Sequence, residues 1–361
     1  MKNLTRKLFI SLFAAVFALI TLGATTFAWF TLTTTVAVEQ FEAEITSGTG
    51  IEVSLDGVTF TNLITNEKIV EKIKSINFNG STESIVLDPV TTANGYSEFK
   101  ILDISNPGEP KLQNATENDK WIIFFLYFRT PYREANQETW VYMLDDTTIT
   151  SDPVTWISDA DFIHTSDVQI QPGTPKQIFA CNSLRMSFQT FTMTTEQVGK
   201  KDLFKKTDVG DDTVVIYELD PDIEPADEND GNNRLDKEIK SYGMVSYFRA
   251  KTGGDDDGID LLEYLDDNDV VLPDGVLKSA NLVNKAHLED DDMTDKAAIV
   301  KLTTVDDDEN PRYYYGVVKV QMWIEGWDPD CYNAIMAGTL KVKLSFGGSS
   351  KKPGIPVEAE D

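Results

Sequence analysis

Thr34-Thr35-Val36-Ala37-Val38-Glu39-Gln40-Phe41-Glu42-Ala43-Glu44-Ile45 places apolar residues at 36, 38, 41, 43 and 45, with mostly polar or acidic residues between them. Apart from one slip near Gln40 the period is two, the signature of a strand with one face buried. Val36, Val38 and Ile45 are β-branched, which favours the pleated backbone over a helix. A chain opening on such a strand reads as β, and the segments downstream repeat the pattern.

Ile51 to Phe60 holds two short alternating runs around Asp56-Gly57, a hairpin signal. Asn66 to Ser75, apolar at 69, 70 and 73, has the spacing of a short surface helix. Ile85 to Val90 and Tyr96 to Ile104 read as strands, and Pro107 to Pro110 as a loop. Trp121-Ile-Ile-Phe-Phe-Leu-Tyr-Phe128 is a continuous apolar run of strand length, predicting a strand buried on both faces at the centre of the fold. Trp140 to Leu144, Val154 to Ile157 and Ser183 to Met193 supply further strands. Tyr313 to Ile324 predicts a long strand with Tyr315, Val317, Lys319 and Gln321 on one side and Tyr314, Val318, Val320, Met322 and Ile324 on the other. Asp328, Pro329 and Gly338 mark the cap, first turn and stop of a short helix. Leu340 to Phe346 closes the fold, and 347–361 reads as a flexible tail.

From about Gln197 the composition changes to acidic loops, including Asp220 to Asn233 and Gly253 to Asp260. Leu261 to Leu265 and Leu277 to Leu288 have helical spacing, whereas Val214 to Leu219 and Met244 to Arg249 look strand-like and leave a second small domain open as the alternative. The expectation is one domain over 29–346 with an insertion at 197–311, in an all-β, jelly-roll-like β-sandwich with small helical and acidic-loop insertions.

Upstream of the first strand stand Lys2, Arg6 and Lys7, then an apolar run from Leu8 to Gly23, then Thr26-Phe27-Ala28-Trp29-Phe30. That order is an export signal over 1–28, with cleavage between Ala28 and Trp29 and a second candidate site after Ala24. The apolar run is roughly 24 Å long as a helix, short for a permanent span, which needs about 20 residues. No stable membrane span is therefore expected after cleavage. The basic start, apolar core, Thr-Phe-Ala-Trp-Phe junction and alternating strand together resemble the TasA/camelysin family of Gram-positive surface proteins. That resemblance implies processing by a SipW-type signal peptidase, an exported β-sandwich, and assembly with copies of itself into a fibre or surface layer. It further implies that Trp29, Phe30, Val36 and Val38 belong to a strand donated to the next subunit. Trp323-Ile324-Glu325-Gly326-Trp327-Asp328-Pro329-Asp330-Cys331 resembles a segment of exported proteins from low-GC Gram-positive bacteria and their wall-less relatives.

Sixty acidic residues against 32 basic ones leave a net charge of −28, and losing Lys2, Arg6 and Lys7 with the signal moves it to −31. Phosphate binding needs clustered Lys and Arg, so nucleic-acid partners are disfavoured. With 41% hydrophobic residues there is ample material for a core, unlike a disordered acidic tail. Two cysteines, Cys181 and Cys331, are too few for a disulfide scaffold or a multi-thiolate metal site, and two separate buried thiols are favoured over a bridge. His164 and His287 stand apart, and no HExxH, GxSxG, Walker A or GxGxxG pattern occurs. Glu325, Asp328 and Asp330 fall together; a helix cap beside a strand end outweighs a glycosidase acid and base. Asp255, Asp257 and Asp260 are the candidate calcium ligands, in a loop out of register with an EF-hand and weighed against plain solvated charge. No other cofactor and no catalytic residue is expected. The reading is a non-catalytic extracellular subunit of a surface fibre, matrix or coat. The alternative is a monomeric cell-surface binding module for carbohydrate or protein, using aromatic residues of 121–142 or 313–332.

Overall fold

The computed structural model describes residues 36–47, 50–77, 85–92, 94–103, 110–115, 121–131, 139–165, 168–211, 214–218, 243–252, 282–283, 288, 292–294, 296–305, 312–326, 328, 330–331 and 338–354. The described residues begin with strands β1 (Val36–Ser47), β2 (Glu52–Ser54) and β3 (Leu63–Ile64), followed by helix α1 (Asn66–Asn77). Then come β4 (Ile85–Leu87), β5 (Pro89–Val90), β6 (Lys100–Asp103), β7 (Lys111–Asn114), β8 (Ile122–Pro131), β9 (Thr139–Met143) and β10 (Thr148–Ser151). Next are β11 (Val154–Ile157), β12 (Phe162–Thr165), β13 (Val168–Ile170) and β14 (Pro175–Ile178), where β11 pairs with β14 and β12 with β13. β15 (Leu184–Phe191), β16 (Val214–Glu218), helix α2 (Gly243–Thr252), β17 (Leu282–Val283), β18 (Ala298–Leu302), β19 (Tyr313–Glu325) and β20 (Gly338–Ser349) complete the order.

Two seven-stranded sheets face each other. One runs β18-β9-β20-β1-β3, with β10 also on β20 and β4 also on β1; the other runs β17-β16-β15-β19-β8-β2, with β5 on β19. Most pairings are antiparallel, but the first and last strands, β1 and β20, lie parallel. Their register slips between Val38 and Phe41, where the sequence pattern slips at Gln40. Phe346 of one sheet meets Phe128 and Phe188 of the other edge-to-face, with centroids 5.0 and 6.1 Å apart, a geometry worth about 0.5–1.5 kcal/mol per pair beyond burial. The fold is thus an all-β sandwich carrying small helices.

β8 shows why a strand can be apolar at every position. Ile122, Phe124, Leu126 and Phe128 enter the core between the sheets, while Ile123, Phe125 and Tyr127 enter smaller clusters on the outer face. Every residue from Trp121 to Phe128 is buried. β19 splits as its alternation predicts, with Tyr314, Val318, Val320, Met322 and Ile324 in the core. α1 closes one side of the sandwich by packing on β1 and β8, with Ile69 and Ile73 buried.

Several expected elements differ. Val58 to Phe60 is not the second strand of a hairpin: Asp56 accepts hydrogen bonds from the Val58 and Thr59 amides (2.9 and 2.7 Å), turning them away from a ladder. Only a single bridge, Val53 with Thr61, remains, after a turn in which Gly57 takes φ +77°. Tyr96 to Phe99 is likewise not strand, because Asn94 accepts from the amides of Tyr96 and Ser97 in an Asx turn. Met244 to Arg249 is helix α2, not strand; Met244, Tyr247 and Phe248 fall at i, i+3 and i+4, and Tyr247 packs edge-on against Phe162 and Trp156. Leu282–Val283, expected within a helix, extends the second sheet parallel to β16. Gly347 to Ser349, expected in the tail, continue β20 because β9 offers them a ladder. The segment 197–311 contributes β16, β17 and β18 to the two sheets. Residues 261–265 and 332–337 lie outside the described residues, and Gly338 opens β20.

Candidate functional site

The outer face of the second sheet carries a row of polar side chains where a sandwich strand would ordinarily present either solvent-exposed or apolar ones. Register sets the row. Arg185 stands opposite Glu218 of β16 and Trp323 of β19, Ser187 opposite Gln321, and Gln189 opposite Lys319. Arg185, Ser187, Gln189, Lys319 and Gln321 are all buried; loops 94–97 and 204–211 lie over the last four, and carboxylates surround Arg185.

At one end of the row Arg185, 2% exposed, is surrounded by acids. Its Nη2 lies 3.1 Å from Glu218 Oε1 and 3.7 Å from Asp328 Oδ2, and its Nη1 3.1 Å from Glu325 Oε2. The Trp323 indole donates to Glu325 Oε2 (3.1 Å), and the Ser183 hydroxyl donates to Asp328 Oδ1 (3.0 Å). Burial alone would disfavour the guanidinium charge, but the three carboxylates outweigh it and hold Arg185 above its ordinary range. Burial, then Asp328, Glu325 and Asp330, push the Cys331 thiol well up, so it is no activated nucleophile. Toward the surface Asp330 accepts from Asn182 (2.8 Å) and sits 3.4 Å from His164 Nε2 and 3.7 Å from Lys176 Nζ. Burial, then Lys176, lower the His164 pKa against the opposing pull of Asp330.

The sequence grouped Glu325, Asp328 and Asp330, and the structure brings them together. Asp328 Oδ1 accepts the Asp330 amide (3.0 Å), as a cap does. Glu325 and Asp328 are engaged by Arg185 and closed to solvent, a geometry suited to joining β15, β16 and β19 with the 325–331 turn. Arg185 and Glu218 escaped the sequence reading, although a lone charge within each apolar run, Leu-Arg-Met-Ser-Phe and Val-Val-Ile-Tyr-Glu, was the available signal.

At the other end of the row the covering loops part over a cavity of about 450 Å³. Gln189, Lys319 and Gln321 line its floor; Tyr96, Phe99 and Trp121 line one side and Lys206 to Val209 the other. Ser187 and Gln321 donate to the Gly95 carbonyl (2.6 and 3.3 Å), and Lys319 donates to the carbonyls of Lys206 and Asp208 (2.7 and 3.3 Å). The floor therefore holds its own walls. Gly95 adopts φ +75°, and a Cβ there would meet Ile216 at 2.8 Å, so this carbonyl is presented by a residue that must be glycine. Phe99 stacks on Trp121 with centroids 4.3 Å apart, fixing the aromatic side.

The remaining sequence candidates are placed as follows. Val36 and Val38 lie in β1, paired with Leu87 and Ile85 of β4, and Val38 also with Gly338. Ala28, Trp29, Phe30, Asp255, Asp257 and Asp260 lie outside the described residues. Cys181 and Cys331 are buried free thiols. Among the described residues no group of three His, Cys, Asp or Glu is arranged to hold a metal, and no helix is long and apolar enough to cross a membrane. No family model, curated protein or solved structure matches this chain.

Proposed function

We propose that the mature chain is a non-catalytic extracellular structural subunit of a surface fibre, matrix or coat, assembled by exchange of its N-terminal strand. The observation that carries this reading is the placement of β1. It joins the sheet by parallel pairing with β20, and among the described residues its other side is paired at Val36–Val38 and Ile45–Thr46. No tight hairpin ties β1 to β20, so the same ladder can be formed by β1 of another copy without straining a turn. Donation by Val36 and Val38 would then exchange these intramolecular pairings for equivalent ones in a neighbour. Directly before Val36 come Trp29 to Thr35, a segment with no charge in a chain of net charge −28, suited to a sheet edge or pocket in a partner subunit. The resemblance of the N-terminal stretch to TasA/camelysin precursors supports the same role, with signal peptidase cleavage before Trp29 as the step that frees the strand.

Negative-stain microscopy of protein beginning at Trp29, over a range of concentrations, tests this. The full mature chain should form filaments, and a chain lacking Trp29 to Thr35 should remain a folded monomer. Filaments that form equally well from the shortened chain would overturn the proposal. A second reading, a surface binding module, is favoured by the cavity between loops 94–97 and 204–211.

A further inference from the structure

We infer that this cavity is a saccharide site that takes a sugar ring bearing a carboxylate. The inference deepens the binding-module reading and is independent of polymerisation. Ligand sites combine apolar walls with a few fixed polar groups, and here the two are segregated by the sheet itself. On the aromatic side Tyr96, the half-buried ring of the three, can meet the C–H face of a sugar, and the buried Phe99–Trp121 stack that it packs against holds it in place. The half-buried Lys100 and Lys206 are the charged groups a ligand meets first, and behind them the floor is built of two primary amides, Gln189 and Gln321, each 1% exposed, and the Lys319 ammonium, 6% exposed. Amides both donate and accept, which suits hydroxyl groups that do the same.

The floor is built before any ligand arrives. Gln189 donates to the Asp211 carbonyl (3.0 Å), Gln321 to that of Gly95, and Lys319 to those of Lys206 and Asp208. These bonds fix side chains that would otherwise lose rotamer freedom on binding. They also carry polar groups onto a sheet face that apolar residues would have sealed, as Ile123, Val214 and Ile216 do beside them.

Charge selects the acidic sugar. Lys100, Lys206 and Lys319 line the cavity against Glu98 and Asp208, a local excess of positive charge in a protein of net charge −28. One of the two acids is turned to its own loop, with Asp208 Oδ2 accepting the Lys205 amide (2.9 Å). An anionic group is attracted here and repelled elsewhere on the surface. The volume, about 450 Å³, falls in the range of small-molecule sites, about 300–1,000 Å³.

Calorimetric titration of the mature protein with trigalacturonate and, in parallel, with maltotriose tests the inference, with melting temperatures recorded for every variant. Trigalacturonate should bind and maltotriose should bind at least tenfold more weakly. Tyr96→Ala and Lys206→Ala, both at the partly exposed rim, should each weaken trigalacturonate binding at least tenfold while the melting temperature stays within a degree or two. No heat with either sugar, equal binding of the two, or binding indifferent to both substitutions would overturn the inference. Light scattering of the same samples separates it from the fibre proposal, since filaments without sugar binding and sugar binding without filaments each count against one of the two alone.

Discussion

His164 is a residue whose protonation the fold opposes. It is mostly buried, 3.4 Å from Asp330 and beside Lys176, and burial with the neighbouring ammonium lowers its pKa below the unfolded value, which is about 6.5. Below pH 6.5 the unfolded chain therefore binds more protons at this position than the folded one. The stability that depends on a neutral imidazole is fully present above the unfolded pKa and is lost as pH falls through the folded one. Thermal melts of wild type and His164→Gln between pH 7.5 and 5 should show wild type losing more stability on acidification. Parallel curves would mean the imidazole titrates as freely as in the unfolded chain. Arg185 presents the opposite case, a charge the fold demands. Replacing a buried ion-pair network by apolar groups is often neutral, whereas removing one partner alone strands the others at about 3–5 kcal/mol. Three carboxylates converge on this one guanidinium, so its loss alone belongs to the second kind.

Beside the apolar packing of Ile69 and Ile73, one amide ties α1 to the sheet. Asn77 donates to the Ile73 carbonyl (2.9 Å) and the Ile123 carbonyl (2.8 Å), and accepts from the Ile123 amide (2.9 Å). Its side chain completes the ladder of β8 beyond the end of β2, where none of the described strands does so. Asn77→Ala would leave a buried N–H and C=O of Ile123 unsatisfied, and at about 1–3 kcal/mol for each such group the chain should lose about 2–6 kcal/mol in urea or thermal unfolding. A loss below about half a kcal/mol would show that water replaces the amide. The spacing of apolar residues announces α1 but gives no sign of this contact, which joins residues 46 positions apart. The same division holds across the fold. β15 and β19 are legible because their alternation is set by the face they bury, and β8 because a strand buried on both faces is apolar throughout. α2 is not, because Met-Val-Ser-Tyr-Phe suits either period, and packing on β12 decides between them. In the site, the alternation of β19 puts Lys319 and Gln321 on one face, but their meaning depends on the 94–97 and 204–211 loops closing over them, which no local pattern encodes.

At the scale of the whole molecule, charge is the influence that local contacts do least to offset. A net −28 spread over one sandwich repels itself, and the ion pairs at the surface, such as Lys343 with Asp146 at 3.0 Å and Lys341 with Asp152 at 3.9 Å, compensate little of it; exposed pairs contribute about 0–1 kcal/mol each. Self-repulsion acts over distances longer than any single contact, so salt governs it. The screening length shrinks from about 30 Å at 0.01 M to about 3 Å at 1 M. Sodium chloride over that range should therefore raise the melting temperature by several degrees, because repulsion is stronger in the compact state than in the expanded one. The buried Arg185 network should contribute nothing to the rise, since screening barely reaches it, and a variant in which the exposed acids Asp145 and Glu196 are neutralised should start from a higher melting temperature and respond less. The same repulsion separates copies of the chain, so filament formation through the uncharged 29–35 segment should accelerate over the same salt range. A melting temperature that falls or stays flat with salt would mean that local ion pairs, not the summed charge, set the electrostatics of this protein, and the expected acceleration of assembly would lose its physical basis.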